Sequence, residues 1–277
     1  MPSPRSATLD RALVLERHPF SETSLVVSVL TRRHGPLRLL ARGAFRPRSR
    51  FYAVLDYFDE LELSWVPART GELHSLRSGS MLVRRKGILS DLERFEAAIS
   101  LLELCSLGSR PGMPETPLFD SLSVGLDRLA QGGGAADEVR VRFELEFLRR
   151  HGLAPALQGC ASCGQDARTA KGPHAGVSEG PRAHFSAGAG GRLCGPCAAE
   201  ARSSGRRVGT LPLDVLESAA RMLAGEEVDM PAPALARLRD FVERFLGYHL
   251  EARPRSQRAF LAHANRNAPQ VSAQAGE

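Results

Sequence analysis

Four of the chain's five cysteines stand as two Cys-x-x-Cys pairs, Cys160/Cys163 and Cys194/Cys197, with 30 residues between them. A two-residue spacing lets one tight turn aim both sulfurs at a single ion. Four soft thiolates about 2.3 Å from a d¹⁰ metal make a closed tetrahedral structural site. Gly164 and Gly195 each follow a cysteine, where such a turn calls for a permissive backbone. The fold must therefore bring two distant turns together around Zn2+, one ion per chain. The long spacer is read as a ribbon carrying a flexible insertion, "RTAKGPHAGVSEGPRA", at 168–183.

Other uses of these thiols fit less well. A dithiol redox centre sits at a helix start beside a βαβ pattern, and neither pair follows a clear strand pattern. A catalytic zinc keeps three protein ligands and an open position, whereas four cysteines complete a shell, even with His174 and His184 nearby in sequence. A zinc deaminase needs a His-x-Glu ahead of its Pro-Cys-x-x-Cys; none precedes either pair, and Pro196 lies inside its pair. Disulfides do not suit a cytoplasmic chain, and that is the expected location, since the N-terminus lacks a signal-peptide pattern and no apolar run reaches membrane-spanning length.

Residues 10–80 read as strands. Ser24–Leu30 is a β-branched run, His34-Gly35-Pro36 is a turn, Leu37–Gly43 resumes the apolar pattern, and Val54–Trp65 alternates through Phe58, Leu61, Leu63 and Trp65. A turn at Arg69-Thr70-Gly71 leads into "ELHSLRSG". Short strands at regular turn spacing predict a small antiparallel barrel or sandwich. The period changes near residue 90. Ser90 or Asp91 caps a helix through Leu107, with Leu92, Phe95, Ala98, Ile99, Leu102 and Leu104 on its apolar side and Cys105 a buried thiol. Thr116–Ala130 is a second helix. Residues 137–152 alternate like a strand, but their length, Asp137 at the start and the stop at His151-Gly152 favour a helix. Helices return at 212–225 and 233–252, and the tail has no apolar period.

Charge is uneven. The net charge is +6, yet residues 1–86 carry 15 basic against 8 acidic side chains. Between Thr31 and Arg50 lie Arg32, Arg33, Arg38, Arg42, Arg46, Arg48 and Arg50 with no acid among them. Such asymmetry points to a polyanion. Side chains two apart share a strand face, which aligns Arg38 with Arg42, and Arg46 with Arg48 and Arg50 if that run is extended. Phe45, Phe51 and Tyr52 interleave rings that can stack on bases or fill the barrel. No phosphate-binding loop occurs, and His18, His34, His74, His151 and His249 are scattered without suggestive acid spacing. The sequence offers no enzyme.

Four segments, in order, resemble the bacterial RecO recombination mediator family: "ALVLERHPFSETSLVVSVLTRRHGPLRLLARGAFRPRSRF", "HGLAPALQGCASCG", "HFSAGAGGRLCGPC" and "FLGYHLEARPRSQRAFL". The resemblance implies an α+β multidomain protein: an N-terminal OB-fold β-barrel, an α-helical domain and an inserted four-cysteine zinc ribbon. The expected division is 1–84 barrel, 85–158 and 209–262 helical, 159–208 ribbon, and 263–277 a disordered tail. It also implies binding of ssDNA and dsDNA, annealing of complementary strands, and work with RecR in loading RecA on DNA coated by single-strand-binding protein (SSB), within the cytoplasm and nucleoid. The chain departs from the family in the insertion between the cysteine pairs and in "EARPRSQRAF", where a more basic run is usual. A different reading is a zinc-ribbon interaction adaptor whose basic face docks an acidic protein.

Overall fold

The computed structural model describes residues 6–51, 54–132, 134–165 and 181–250. Five strands come first: β1 (Thr8–Pro19), β2 (Leu25–Thr31), β3 (Gly35–Ala41), β4 (Glu60–Val66) and β5 (Leu73–Val83). They close in the order β1-β2-β3-β5-β4, antiparallel except for the β3–β5 pair. A closed sheet has no free edge to protect and gathers one face of every strand inside. Ala12 and Val14 of β1 point inward with Val27, Val29, Leu39, Leu61, Leu63 and Trp65. Alternate residues of the same strands, Leu13, Leu15 and Leu30, face a second core built by helices. This two-sided burial explains why "ALVL" is uninterruptedly apolar, whereas a half-solvated strand would alternate.

A short 3₁₀ turn at Lys86–Ser90 leads into α1 (Leu92–Gly108), α2 (Thr116–Gln131) and α3 (Ala136–Arg150). Asp91 caps α1, its carboxylate accepting from the Arg94 N–H at 3.0 Å. The stretch from 137 is helical as expected, although Asp137 is no cap. It lies in the first turn and pairs with Arg239 at 2.8 Å. Leu92 and Phe95, expected on the buried side of α1, are exposed, because burial begins only at Ala97. Cys105 is fully buried, and burial pushes its thiol far up.

Beyond α3 come β6 (Arg182–Ser186), β7 (Gly191–Leu193), α4 (Gly195–Ser203), β8 (Gly209–Pro212), α5 (Leu213–Leu223) and α6 (Ala232–His249). The strands form a sheet in the order β7-β6-β8. Phe185 on β6 meets Phe241 of α6 edge-on, ring centroids 4.4 Å apart, so this sheet is rooted in the helical core. Within that core the Arg140 guanidinium bridges Glu144 at 2.8 Å and Glu243 of α6 at 2.6 Å, all three side chains buried.

The barrel docks on the helices through a polar seam. Arg85, 3% exposed, donates to the Phe58 carbonyl at 2.8 Å, Ser123 Oγ at 2.8 Å and Asp127 Oδ1 at 2.7 Å. Buried Glu60 accepts from Ser123 Oγ at 2.9 Å and pairs with Arg11. Gly35, at φ +70°, lets the β2–β3 turn press on the segment before α2. Any Cβ there would lie 2.0 Å from the Met113 carbonyl oxygen. One expected strand is shorter than its pattern. Residues 54–59 form a loop in which Phe58 takes φ +74° and turns its ring into the helical core, and β4 begins only at Glu60.

Candidate metal centre and nucleic-acid interface

The four sulfurs of Cys160, Cys163, Cys194 and Cys197 lie within 4.8 Å of one another, and Cys163 and Cys194 are 3.8 Å apart. Four ligands about 2.3 Å from a tetrahedral ion are separated by about 3.8 Å, so the cluster fits such a metal. It is too wide for S–S bonds of about 2.05 Å. The first pair sits on a knuckle: the Gly164 N–H donates to the Cys160 carbonyl at 2.9 Å, with Gly164 at φ +73° as its position demands. The second pair is built differently. Cys194 caps α4, Gly195 begins that helix, and the Ala198 N–H donates to the Cys194 carbonyl at 2.9 Å. This pair does follow a strand and open a helix, contrary to the sequence reading. What sets the redox alternative aside is the convergence of all four sulfurs.

Burial pushes the Cys160 thiol up, but the backbone N–H groups of Cys194, Cys163 and Ser162 outweigh it and bring it down to about 6. Cys197 moves the opposite way, raised by its contact with Cys194, by burial and by Cys160. One thiolate forming among four sulfurs makes the next harder to form. A divalent cation removes that conflict, and it is the chemistry this donor set suits. His184 is not part of the cluster: it is buried on β6 with Nδ1 3.2 Å from the Arg202 guanidinium, and burial lowers its pKa. Gly191, at φ +155°, lets β7 lie against residue 156. A Cβ there would fall 2.4 Å from the Ala156 carbonyl oxygen. His174 and most of the insertion at 168–183 lie outside the described residues, except that its last residues, Arg182 and Ala183, start β6. The string Gly176-Val177-Ser178-Glu179-Gly180, spelled like a nucleophile elbow, lies in the same span, in a stretch whose composition is that of a loop.

The seven arginines divide into two groups. Arg32 and Arg33 sit in the β2–β3 turn and are held by acids: Arg32 by Asp120 of α2 at 2.8 and 3.1 Å, Arg33 by buried Asp10 at 3.1 Å and the Leu9 carbonyl at 2.7 Å. Arg38, Arg42, Arg46, Arg48 and Arg50 are exposed. They have no carboxylate partner among the described residues. Arg38 points outward from β3 opposite Ser28, and Arg42 comes in the turn just past the end of that strand. The run from Arg42 is not extended. Two successive turns, closed by Arg46 N–H to Gly43 O at 3.1 Å and Ser49 N–H to Arg46 O at 3.0 Å, fold it, with Arg48 at φ +62°. Folding concentrates charge over a shorter path than a strand would. Phe51 fills the barrel core with Arg50 over its ring, Phe45 stays exposed, and Tyr52 lies outside the described residues.

Between the β1–β2 loop and the turn after β3 lies a groove of about 500 Å³ lined by Phe20, Thr23, Ser24, Leu40, Arg42, Gly43 and Arg46. Phe20 escapes sequence reasoning, being a single aromatic in a loop. Among the described histidines, two have acid partners that the sequence spacing did not suggest: Glu16 for His18 at 3.0 Å and Asp10 for His34 at 2.8 Å. His151 and His249 bond to backbone carbonyls at helix ends.

Two family models divide the chain between them: "Recombination protein O N terminal" matches residues 6–84 and "Recombination protein O C terminal" matches residues 89–258. The chain belongs to the RecO family. Among curated relatives, the DNA repair protein RecO of Myxococcus xanthus (strain DK1622) is 30% identical over 247 residues, 89% of this chain and 94% of the relative. That of Anaeromyxobacter dehalogenans (strain 2CP-C) is 36% identical over 247 residues, 87% and 92% respectively. The RecO match supports a DNA-repair recombination mediator role. It bears on both candidate sites, since the barrel with its arginines falls in one model and the four cysteines in the other. Among the described residues no helix is long and apolar enough to cross a membrane.

Proposed function

We propose that this RecO-family chain is a recombination mediator that binds DNA and catalyses no reaction. The carrying observation is the group Arg38, Arg42, Arg46, Arg48 and Arg50, exposed on neighbouring parts of one barrel and free of carboxylate partners among the described residues. Cations so placed attract phosphates without reading bases, and binding then releases counterions and weakens with salt. Neutralising phosphates on two strands lowers their mutual repulsion. Pairing supplies the driving force for annealing, which needs no nucleotide hydrolysis.

In this reading residues 1–84 hold ssDNA and dsDNA, residues 85–158 and 209–262 form the helical platform, and residues 159–208 are a ribbon organised by one structural Zn2+ on Cys160, Cys163, Cys194 and Cys197. RecR and SSB are the partners, and the outcome is RecA loaded on DNA that SSB had covered. The place of work is the cytoplasm, at the nucleoid. Support comes from the family membership and from the divided fates of the arginines, two consumed by the fold and five left over.

A strand-annealing assay with complementary oligonucleotides, with and without SSB, tests this. Annealing accelerated by the protein without nucleotide, and persisting on SSB-coated strands, is expected. An unchanged annealing rate overturns the proposal.

A further inference from the structure

We infer that the groove between the β1–β2 loop and the turn after β3 seats an unpaired base, with the Phe20 ring as its stacking platform and Arg42 and Arg46 on the adjoining phosphates. The inference rests on the reading of the barrel as a DNA-binding surface and adds a strand preference to it.

Phe20 is 61% exposed and Phe45 48%, while Phe51, from the same stretch as Phe45, is 4% exposed in the core. Burying a phenyl ring is stabilising, so two rings held out on adjoining loops leave that stabilisation unused. Both loops are fixed in place. The Phe20 N–H donates to the Ser24 carbonyl at 2.9 Å, and the Phe45 N–H crosses to the Thr23 carbonyl at 3.1 Å, tying one loop to the other. The groove is lined by the apolar Phe20 and Leu40 and by the cationic Arg42 and Arg46. Glu22 is the one acid on the two loops, against Arg42, Arg46, Arg48 and Arg50.

An apolar ring beside guanidinium groups matches a ligand that is itself a flat ring beside a phosphate. A duplex hides its base faces in the stack, so only an unpaired nucleotide can use the ring. Stacking engages the face of a base and leaves its hydrogen-bonding edge open, so a strand held this way stays able to pair. The β1–β2 loop is also where barrels of this type commonly meet single strands.

Fluorescence anisotropy with an oligothymidylate, an abasic strand and a duplex, all of one length, tests the seat across a range of salt. Phe20→Ala should weaken the oligothymidylate complex roughly 5- to 150-fold. It should leave the duplex and abasic complexes within about two-fold and the salt slope unaltered, because the arginines still reach every phosphate. Equal losses on all three ligands, or no loss on any, overturn the inference. Phe20→Trp, which keeps a ring, should retain affinity and show indole emission quenched by the oligothymidylate against the background of buried Trp65; unquenched emission with binding intact also overturns it. Failure of the underlying reading looks different. A wild-type protein that binds none of the three ligands removes the DNA-binding barrel itself, whereas salt-dependent binding that needs Arg42 and Arg46 but ignores Phe20 removes only the seat.

Discussion

The Arg32 guanidinium donates two hydrogen bonds to the Asp120 carboxylate, at 2.8 and 3.1 Å, joining the β2–β3 turn to α2. The Thr116 hydroxyl reinforces the junction by donating to the Arg32 carbonyl at 2.6 Å. The Arg32 hydrogen bond holds the Asp120 carboxyl below the usual carboxylate range. Both side chains are more than a third exposed, so solvent screening leaves the pair only a small contribution to stability. Arg32→Ala should therefore lower urea stability only slightly and change oligonucleotide affinity by less than about two-fold. A loss as large as that of Arg42→Ala would mean that Arg32 leaves Asp120 for phosphate.

Arg42, Arg46 and Arg48 have no competing acid among the described residues. Changing all three to alanine frees up to three phosphates that the arginines would otherwise neutralise. The slope of log affinity against log salt should then flatten by roughly 2 to 3, at about 0.7 to 0.9 for each phosphate freed. Anisotropy titrations at several salt concentrations read this directly, and a parallel displacement with no change of slope would contradict it.

Asp10 organises the β2–β3 turn, accepting from the Arg33 backbone N–H at 2.8 Å, the Arg33 side chain at 3.1 Å and the Arg11 N–H at 2.8 Å, with His34 Nδ1 at 2.8 Å. Burial alone would raise its pKa; the hydrogen bonds from His34 and Arg33 outweigh burial and lower it below the usual carboxylate range. A carboxyl depressed by folding contributes stability that is present above its unfolded pKa and is lost as pH falls through the folded value. Stability of the wild type should thus drop on acidification below about pH 4, and Asp10→Asn should be less stable at neutral pH with a shallower drop. Urea unfolding at several pH values between neutrality and about 3 checks both.

Arg140 lies between two buried carboxylates, Glu144 and Glu243. Burial raises both glutamates, and Arg140 opposes that shift by attraction. Removing the cation takes from Glu144 its hydrogen-bonded partner and leaves Glu243 facing Arg239 at 3.5 Å, both acids in a low-dielectric core. Arg140→Met should cost about 3–5 kcal/mol, and adding Glu144→Gln and Glu243→Gln should restore part of it. Chemical denaturation of the single and triple variants measures the difference.

Much of this architecture is readable from local pattern. The β-branched run Ser24–Leu30 reads as a strand, Asp91 as a candidate cap, and the cysteine spacing as a metal cluster. What is not readable is set by distant partners. Arg32 and Arg33 look no different in sequence from Arg46 and Arg48; their acids, Asp120 and Asp10, stand 88 and 23 residues away and decide which cations stay free. Phe58 fits the alternation of β4 but is drawn by the helical core into a left-handed turn. The short strands β6 and β7 are too brief for a periodic signal; β6 pairs with β7 on one side and β8 on the other, and its Phe185 packs on Phe241, 56 residues further along the chain. Phe20 gives no periodic signal at all, since an exposed ring in a loop acquires meaning only from the groove beside it.

The ribbon's own apolar core is small: buried Cys160, Leu193, Ala198 and Ala201. Such a cluster cannot offset the backbone entropy of the two cysteine turns without help. With Zn2+ in place, metal-binding free energy becomes folding free energy for this unit. The base of the ribbon has separate anchorage, because Phe185 packs on Phe241 and Phe245. The barrel's core residues form a different cluster altogether. Chelation or Cys160→Ser should release one zinc per chain and lower the melting temperature. Amide exchange should quicken around 158–165 and 191–205, while β6 and the barrel stay protected. Oligonucleotide affinity should hold within about two-fold. If the variant stays folded yet loses DNA, the ribbon is itself a contact surface and zinc serves binding as well as folding.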